Sequence, residues 1–407
     1  MISNPIFRLQ LGLAAYAVLS LISMATMSIG AAIFVALWLS VRPWRDYAFD
    51  SRLRPYVWLS VAFWGVAIVG LIYARVNPLS YGGESFELSW PNDVAKAWYF
   101  CMPFCLADGF RRLDLQQRES VLRAWFFAFL VLSVIGIQQY WTAWPREQRI
   151  PTHLEHFHAT MFLGHHLSTA SIWIFPVFAA LGWTLQNPKE SRWISLAAAL
   201  GIATLILSFA RSVWLALPVG LFLMMVLQLR GRLRLGVLVG ATVLAVAISQ
   251  HPAVQKRITN NMGTQERIAL WEANFEFLKQ RPALGVGLFK NAPLSGAYLK
   301  QKQQRDHVFS GHAHNNLIHM LGGVGILGTL LWLGICVWIG SVFWGARADA
   351  RFGVIALGFF CAWIVFHLNG LTQVNFWEGK VMHQYIFALG MALGITYRHG
   401  NSTSRTH

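Results

Sequence analysis

Positions 311–328 read GHAHNNLIHMLGGVGILG, setting His312, His314, Asn315 and Asn316 where a polar loop runs into an apolar segment. A histidine near neutral pH takes or gives a proton readily. A helix that begins here presents free backbone N–H groups and partial positive charge, which suits an anion, with Asn315 or His314 as its cap. The second chemical feature is Arg211, alone in SFARSVWLAL between two apolar segments. Arginine at membrane depth is costly and normally faces a protein interior or a wet cavity, and its planar guanidinium grips phosphate oxygens. Each feature has a plainer alternative: interfacial capping at the histidine junction, and snorkelling of Arg211 to the headgroups.

The stretch before this junction, 250–315, holds nine basic residues (Lys256, Arg257, Arg267, Lys279, Arg281, Lys290, Lys300, Lys302, Arg305) against four acidic ones (Glu266, Glu272, Glu276, Asp306). Such an excess suits an anionic ligand. Within it, 264–280 reads as an amphipathic helix. Ile268, Trp271, Phe275 and Leu278 recur on one face, Thr264 can cap the start and Pro282 stops it. Pro282, Gly285 and Gly287 in RPALGVGLF then make a turn, either plainly structural or one in which the backbone can approach a ligand closely. His153, His156, His158, His165 and His166, with His312 and His314, raise a metal reading. Carboxylates are scarce there and the usual ligand spacings are missing, so no metal and no cofactor is expected.

The elements that must position these groups follow from composition. Of the 407 residues 56% are apolar and 12% charged, against roughly 25% charged in a soluble chain. The apolar residues come in long runs, so the expectation is an all-α polytopic membrane protein of about twelve spans. The spans fall at 7–42 (a hairpin turning near 24–30), 56–73, 94–107, 121–140, 167–185, 194–209, 213–229, 235–249, 315–344, 352–368 and 381–397. The chain then divides into spans one to nine (1–249), a large outer loop (250–314), spans ten to twelve (315–397) and a short tail (398–407). The first segment lacks the pattern of a cleaved signal and is expected to remain. Arg42, Arg45, Arg52 and Arg54, then Arg111, Arg112 and Arg118, then Arg230, Arg232 and Arg234 occupy short loops on the side of both termini, which the positive-inside rule makes cytoplasmic. The formal net charge of +16 is split between two faces with no contiguous basic domain, which argues against nucleic acid. Cys101, Cys105, Cys336 and Cys361 sit in apolar runs and read as buried small hydrophobes.

With SFARSVWLA, ERIALWEA, PALGVG and HAHNNLIHMLGGVGILG in that order, the chain resembles the bacterial O-antigen ligase and polymerase superfamily over about 208–328. The resemblance implies a GT-C-like glycosyltransferase of lipopolysaccharide biosynthesis in the bacterial inner membrane, with its site facing the periplasm. The implied donor is an undecaprenyl diphosphate-linked O-antigen and the implied acceptor a sugar hydroxyl of lipid A-core, both met within the membrane lipids. Arg211, Arg267, Arg281 and Asn315 are the expected diphosphate-binding residues, and His314, His312 and Arg211 the catalytic ones. His314 is the expected base of a metal-independent, inverting transfer. O-antigen polymerase and protein O-oligosaccharyltransferase are the alternatives inside the superfamily. The former's usual arginine with a glycine eleven positions on is missing, and so is the latter's long C-terminal region. A lipid-linked sugar transporter or flippase is the alternative of a different class, and the two-halves repeat common in transporters is not found. Asn369, Gln373, Asn375, Glu378, Lys380 and His383 are polar positions that could line the acceptor side.

Overall fold

The computed structural model describes residues 4–42, 53–79, 81, 95–150, 153–188, 192–228, 235–236, 239, 250, 262–303 and 311–396. Five helices are long and apolar enough to cross a membrane. They are α3 (Arg54–Val76), α5 (Leu115–Thr142), α6 (His166–Gln186), α8 (Arg211–Gln228) and α11 (Asn316–Ala346). Shorter apolar helices accompany them: α1 (Pro5–Leu19), α2 (Met24–Ser40), α7 (Arg192–Leu207) and α12 (Gly353–Asn369). Helices α4 (Trp98–Arg112) and α13 (Gly379–Thr396) complete the bundle. The chain is a multi-pass membrane protein. Eleven of the twelve expected span positions carry a helix, and the ninth, 235–249, lies almost wholly outside the described residues.

The bundle is sorted by exposure. Helix α6 is buried from Ser168 to Ala180 without a break, and α13 is buried throughout 381–395. The flanking helices instead turn large apolar side chains outward, among them Trp58, Ile72, Phe127, Leu215 and Val337. A helix apolar on every side belongs either in a core or against lipid, and this chain uses both. Close packing needs small residues: Gly182 of α6 meets Val354 of α12, and Gly358 of α12 meets Phe178 of α6, so tightly that a Cβ at either glycine would come within 2.5 Å of a carbonyl oxygen. Buried polar groups are matched between spans, as in Trp125 Nε1 to Gln384 Oε1 (3.2 Å) and Gln384 Nε2 to Ser20 Oγ (2.7 Å).

Two boundaries differ from the expectation. The first hairpin turns at 20–23 and not at 24–30. Ser23 caps α2 in a reciprocal box with Thr26, so a pair of hydroxyls overrides the apolar run around it. The fourth span begins later and ends later than 94–107. Its extra turn carries Arg111 and Arg112, which Asp108 holds at 2.7 and 2.8 Å.

The outer loop is built around α9 (Met262–Gln280) and α10 (Asn291–Gln303). Their own small core joins Ala273, Phe277, Val286 and Leu294, flanked by Leu79, Tyr81 and Tyr298. The buried stripe of α9 is Leu270, Ala273, Asn274 and Phe277. The expected face is rotated away: Ile268 and Phe275 are exposed, while Trp271 is half-buried. Asn274 draws the helix inward, because Asn291 Nδ2 donates to its Oδ1 at 2.7 Å within the protein. The helix also begins before Thr264, at Met262.

Candidate active site

The glycine turn after α9 meets protein, and its partner is a broken helix. Gly325 in α11 has φ 66°, and the helix hydrogen bonds lost there are replaced from the turn. Val286 N donates to Gly322 O (3.0 Å), Gly287 N to Gly323 O (2.9 Å), and Ile326 N to Pro282 O (2.8 Å). Gly285, at φ 65°, lies so close that a Cβ would fall 2.5 Å from the carbonyl carbon of Gly323. PALGVG and GGVG are thus two halves of one backbone clasp, which fixes the outer loop to the start of α11.

That clasp positions the histidine junction. Asn315 caps α11, its Oδ1 accepting from Ile318 N (3.0 Å), while its Nδ2 donates to Leu371 O (2.8 Å). Asn316 joins the 370–376 segment through Asn375, at 2.7 Å. The peptide between is gripped from the loop helices: Trp271 Nε1 donates to Ala313 O (2.7 Å) and Ser295 Oγ to Gly311 O (3.0 Å). His314 takes a left-handed φ of 48°, and its ring stands 4.3 Å, centre to centre, from that of His312. His314 Nδ1 donates to Gln373 Oε1 at 3.0 Å. An amide oxygen only accepts, so the lone pair of His314 is on Nε2.

His312 and Gln373, the partners of His314 here, border a cavity of about 510 Å³. Its walls come from distant parts of the chain: Lys96 before α4, His165 before α6, Phe289 and Ala292 at α10, His312, His319 of α11, and Gln373, Val374, Trp377, Glu378 and Lys380 before or in α13. Lys96 lies over the Phe289 ring (3.7 Å) and Lys380 donates to Leu163 O (3.1 Å). The 158–165 segment is shaped by Gln139, whose Oε1 accepts from Thr160 N (2.8 Å) and Met161 N (2.6 Å).

Electrostatics ties the remaining cations to this place. Burial pushes His312 down to about 4, with the charges of His314, His165 and Arg267 adding to the push. Burial also lowers His314, with Gln373 opposing and Arg267 and His165 reinforcing the shift. Arg267 is itself lowered by burial and then by Arg211, so the two guanidinia share one neighbourhood. Arg211 opens α8 after a connection of only three residues, 208–210, which His158 braces through Ser208 O (2.7 Å). Glu378 is raised, first by burial. The imidazoles are therefore neutral near pH 7, in a cavity whose surplus charge is positive.

Of the residues singled out in the sequence, His312 lines the cavity, His314 stands against His312, and Arg267 is a charge neighbour of both histidines and of Arg211. Arg281 does not line the cavity: it bonds Asn77 O and lies over Tyr73 (5.0 Å), fastening the loop to the end of α3. Both functional groups of the Asn315 side chain are engaged in the cap and the tie to Leu371. Of the polar positions near spans eleven and twelve, Gln373, Glu378 and Lys380 reach the cavity. Asn369, Asn375 and His383 bond to Ser171, Asn316 and Tyr16 in the packed interior. Among the described residues no three of His, Cys, Asp and Glu are disposed to hold a metal ion. His158 and His166 stack on each other at 4.2 Å, and His156 stacks on Tyr140 at 4.5 Å. Sequence reasoning missed Lys96 and His319. A single lysine at the mouth of a span, as in DVAKAW, is the same signal that marked Arg211.

Residues 196–333 match the family model described as O-antigen ligase. The matched stretch includes Arg211, Arg267, both halves of the glycine clasp, His312 and His314. No curated protein matches the chain. Over this stretch, about a third of its length, the chain is similar to that family.

Proposed function

We propose that the protein is an O-antigen ligase: it moves a glycan from undecaprenyl diphosphate to a sugar hydroxyl of lipid A-core, on the periplasmic face of the inner membrane. The observation that carries this reading is one cavity, at the loop-bearing end of an apolar bundle, whose wall brings His165, His312 and His319 together with Lys96 and Lys380. A diphosphate leaving group needs its developing charge met by fixed positive groups. Arg211 and Arg267 take that part, with Lys96 and Lys380 on the cavity wall, in a metal-independent reaction. Asn315 contributes by fixing the junction and the start of α11.

The acceptor hydroxyl needs a base. His314 Nε2 fits, because its Nδ1–H is committed to Gln373 and its ring is neutral near pH 7. His312 is held too low, at about 4, to be the stronger base, and it serves as a hydrogen-bonding neighbour of the diphosphate. Attack from the face opposite the diphosphate inverts the anomeric centre. The polyprenyl tail and the lipid anchor of the acceptor stay in the bilayer beside the bundle.

The test is transfer by purified protein given lipid-linked O-antigen and lipid A-core, with and without EDTA. The expected result is a new glycan–core linkage at an undiminished rate in EDTA. His314→Ala should lower the rate by about 10²-fold or more with folding retained. A longer lipid-linked glycan without core modification would make the protein a polymerase, and substrate movement without a new bond would make it a transporter.

A further inference from the structure

Glu378 is the one carboxylate among the described residues that line the cavity, and it is tied to a histidine. The Ser168 hydroxyl donates to Glu378 Oε1. Serine has a single hydroxyl proton, so Ser168 Oγ meets His165 Nδ1, 3.2 Å away, as the acceptor. The result is a chain of donors, His165 Nδ1–H to Ser168 to Glu378, that leaves the His165 lone pair on Nε2. The backbone of His165 is fixed as well, its carbonyl accepting from Thr169 N and Oγ1, both at 3.0 Å.

Two imidazoles, His165 on the cavity wall and His314 behind Gln373, are thus oriented, with different backing. His314 rests on a neutral amide oxygen with Arg267 nearby, so a proton arriving there meets another positive charge. His165 leads through one hydroxyl to a carboxylate. The charged and titratable groups around it are His166, its ring 5.2 Å away, Arg146 against the neighbouring Gly164, Lys96 from the segment before α4, Arg267 of α9, His312 and His314 of the junction, His319 of α11, and Glu378 and Lys380 at the start of α13. Burial and Lys380 keep His165 below the ordinary histidine value, which leaves it neutral and ready to accept.

Resting on the transfer reading above, we propose that His165 is a second catalytic imidazole of the cavity and that Glu378, acting through Ser168, is its positioning residue. As the acceptor oxygen forms its bond to the anomeric carbon, the bond from that carbon to the diphosphate oxygen breaks and its electron pair leaves with the diphosphate. The acceptor's O–H proton passes by way of His314 to His165 Nε2, and Glu378 balances the charge gained there.

The experiment uses the full-length protein in lipid nanodiscs and compares wild type with Glu378→Gln and Ser168→Ala. The His165 ring is titrated by NMR, and transfer is followed against pH. Loss of the carboxylate or of the connecting hydroxyl should move the His165 titration to lower pH in both variants. It should lower kcat by about a hundredfold, leave KM for both substrates unchanged, and shift the acid limb of the rate profile downward. An unchanged His165 titration in both variants would overturn the proposal, as would full activity of His165→Ala in a preparation where His314→Ala is inactive. Wild-type protein that transfers to no acceptor would instead sink the ligase reading, while the titration, which needs no turnover, still reports the coupling.

Discussion

The bundle has two ends rich in cations, and they are treated in opposite ways. At one end Asp108 is buried, its carboxylate accepting from Arg111 (2.7 Å), Arg112 (2.8 Å) and Trp38 Nε1 (3.0 Å). Arg118 bonds the carbonyls of Leu113 and Arg111, each at 3.0 Å, and Arg351 bonds Glu119 at 2.6 Å. At the other end, Lys96 and Lys380 share the cavity wall with neutral imidazoles and, among the described residues, one carboxylate, and Arg267 is pressed by Arg211. Cations matched by carboxylates or carbonyls hold helices together. Buried cations brought close to one another are held at a cost that an anionic ligand would relieve.

Exchanging one residue from each end sharpens this contrast most. Asp108→Asn leaves two arginines beside a neutral amide, and breaking a buried ion pair costs about 3–5 kcal/mol. Thermal unfolding should show a large loss of stability, while kcat/KM of the folded fraction stays near wild type. Arg267→Ala should do the reverse. Stability holds or rises slightly as Arg211 is relieved, and kcat/KM for the lipid-linked donor falls by about ten- to a hundredfold, the worth of a charged hydrogen bond. If Asp108→Asn instead impaired transfer by the folded protein, the two ends would not be divided between architecture and chemistry.

The clasp between them is the next largest effect. Gly285→Ala places a Cβ 2.5 Å from the Gly323 carbonyl carbon, at a φ of 65° that an L residue rarely adopts. A loss of about 2 kcal/mol or more is expected in unfolding. Transfer should fall with it, since the same clasp holds the start of α11 beneath His314.

A finer effect separates the two histidines of the junction. The bond from His314 Nδ1–H to Gln373 strengthens when the ring gains a proton, and so raises its pKa against the downward push of burial. The base works as the neutral form, so the rate falls as pH drops through that value, which lies below the ordinary 6.5. Gln373→Leu removes the upward contribution, and the acid limb of kcat/KM should move to still lower pH. A limb that moves upward would remove His314 from the role of base.

Much of this was legible in the sequence because lipid imposes a length and a polarity on each span. The positions of eleven helices follow from apolar runs alone, Arg211 stands out because an arginine is costly at membrane depth, and His312 and His314 stand out where a polar loop meets a span, while Arg267 is marked only by the resemblance. What was not legible depends on contacts between distant segments. Asn274 and Asn291 turn α9 away from its most apolar face, and Tyr73 and Asn77 take Arg281 away from the cavity. Lys96 and His165 enter the site only because helices far apart in sequence converge there. Period and spacing report the face a helix could bury, whereas the partner that covers it is set by the rest of the chain.

The smallest expected effect is the one that best separates counting charges from placing them. Lys302 belongs to the same basic loop as Arg267 and contributes equally to its formal charge, yet it is half exposed and sits 2.9 Å from Glu272, which is equally exposed. An exposed pair of this kind is worth roughly 0–1 kcal/mol. Lys302→Ala should therefore leave unfolding within about 0.5 kcal/mol of wild type and transfer unchanged at physiological salt, where Arg267→Ala is strongly impaired. If both substitutions reduced donor affinity alike, the loop would act through its summed field, and the geometry around the cavity would matter less than its net charge. A difference of tenfold or more between two cations of one loop would instead tie the recognition to the place where Arg267 meets Arg211 and the histidines.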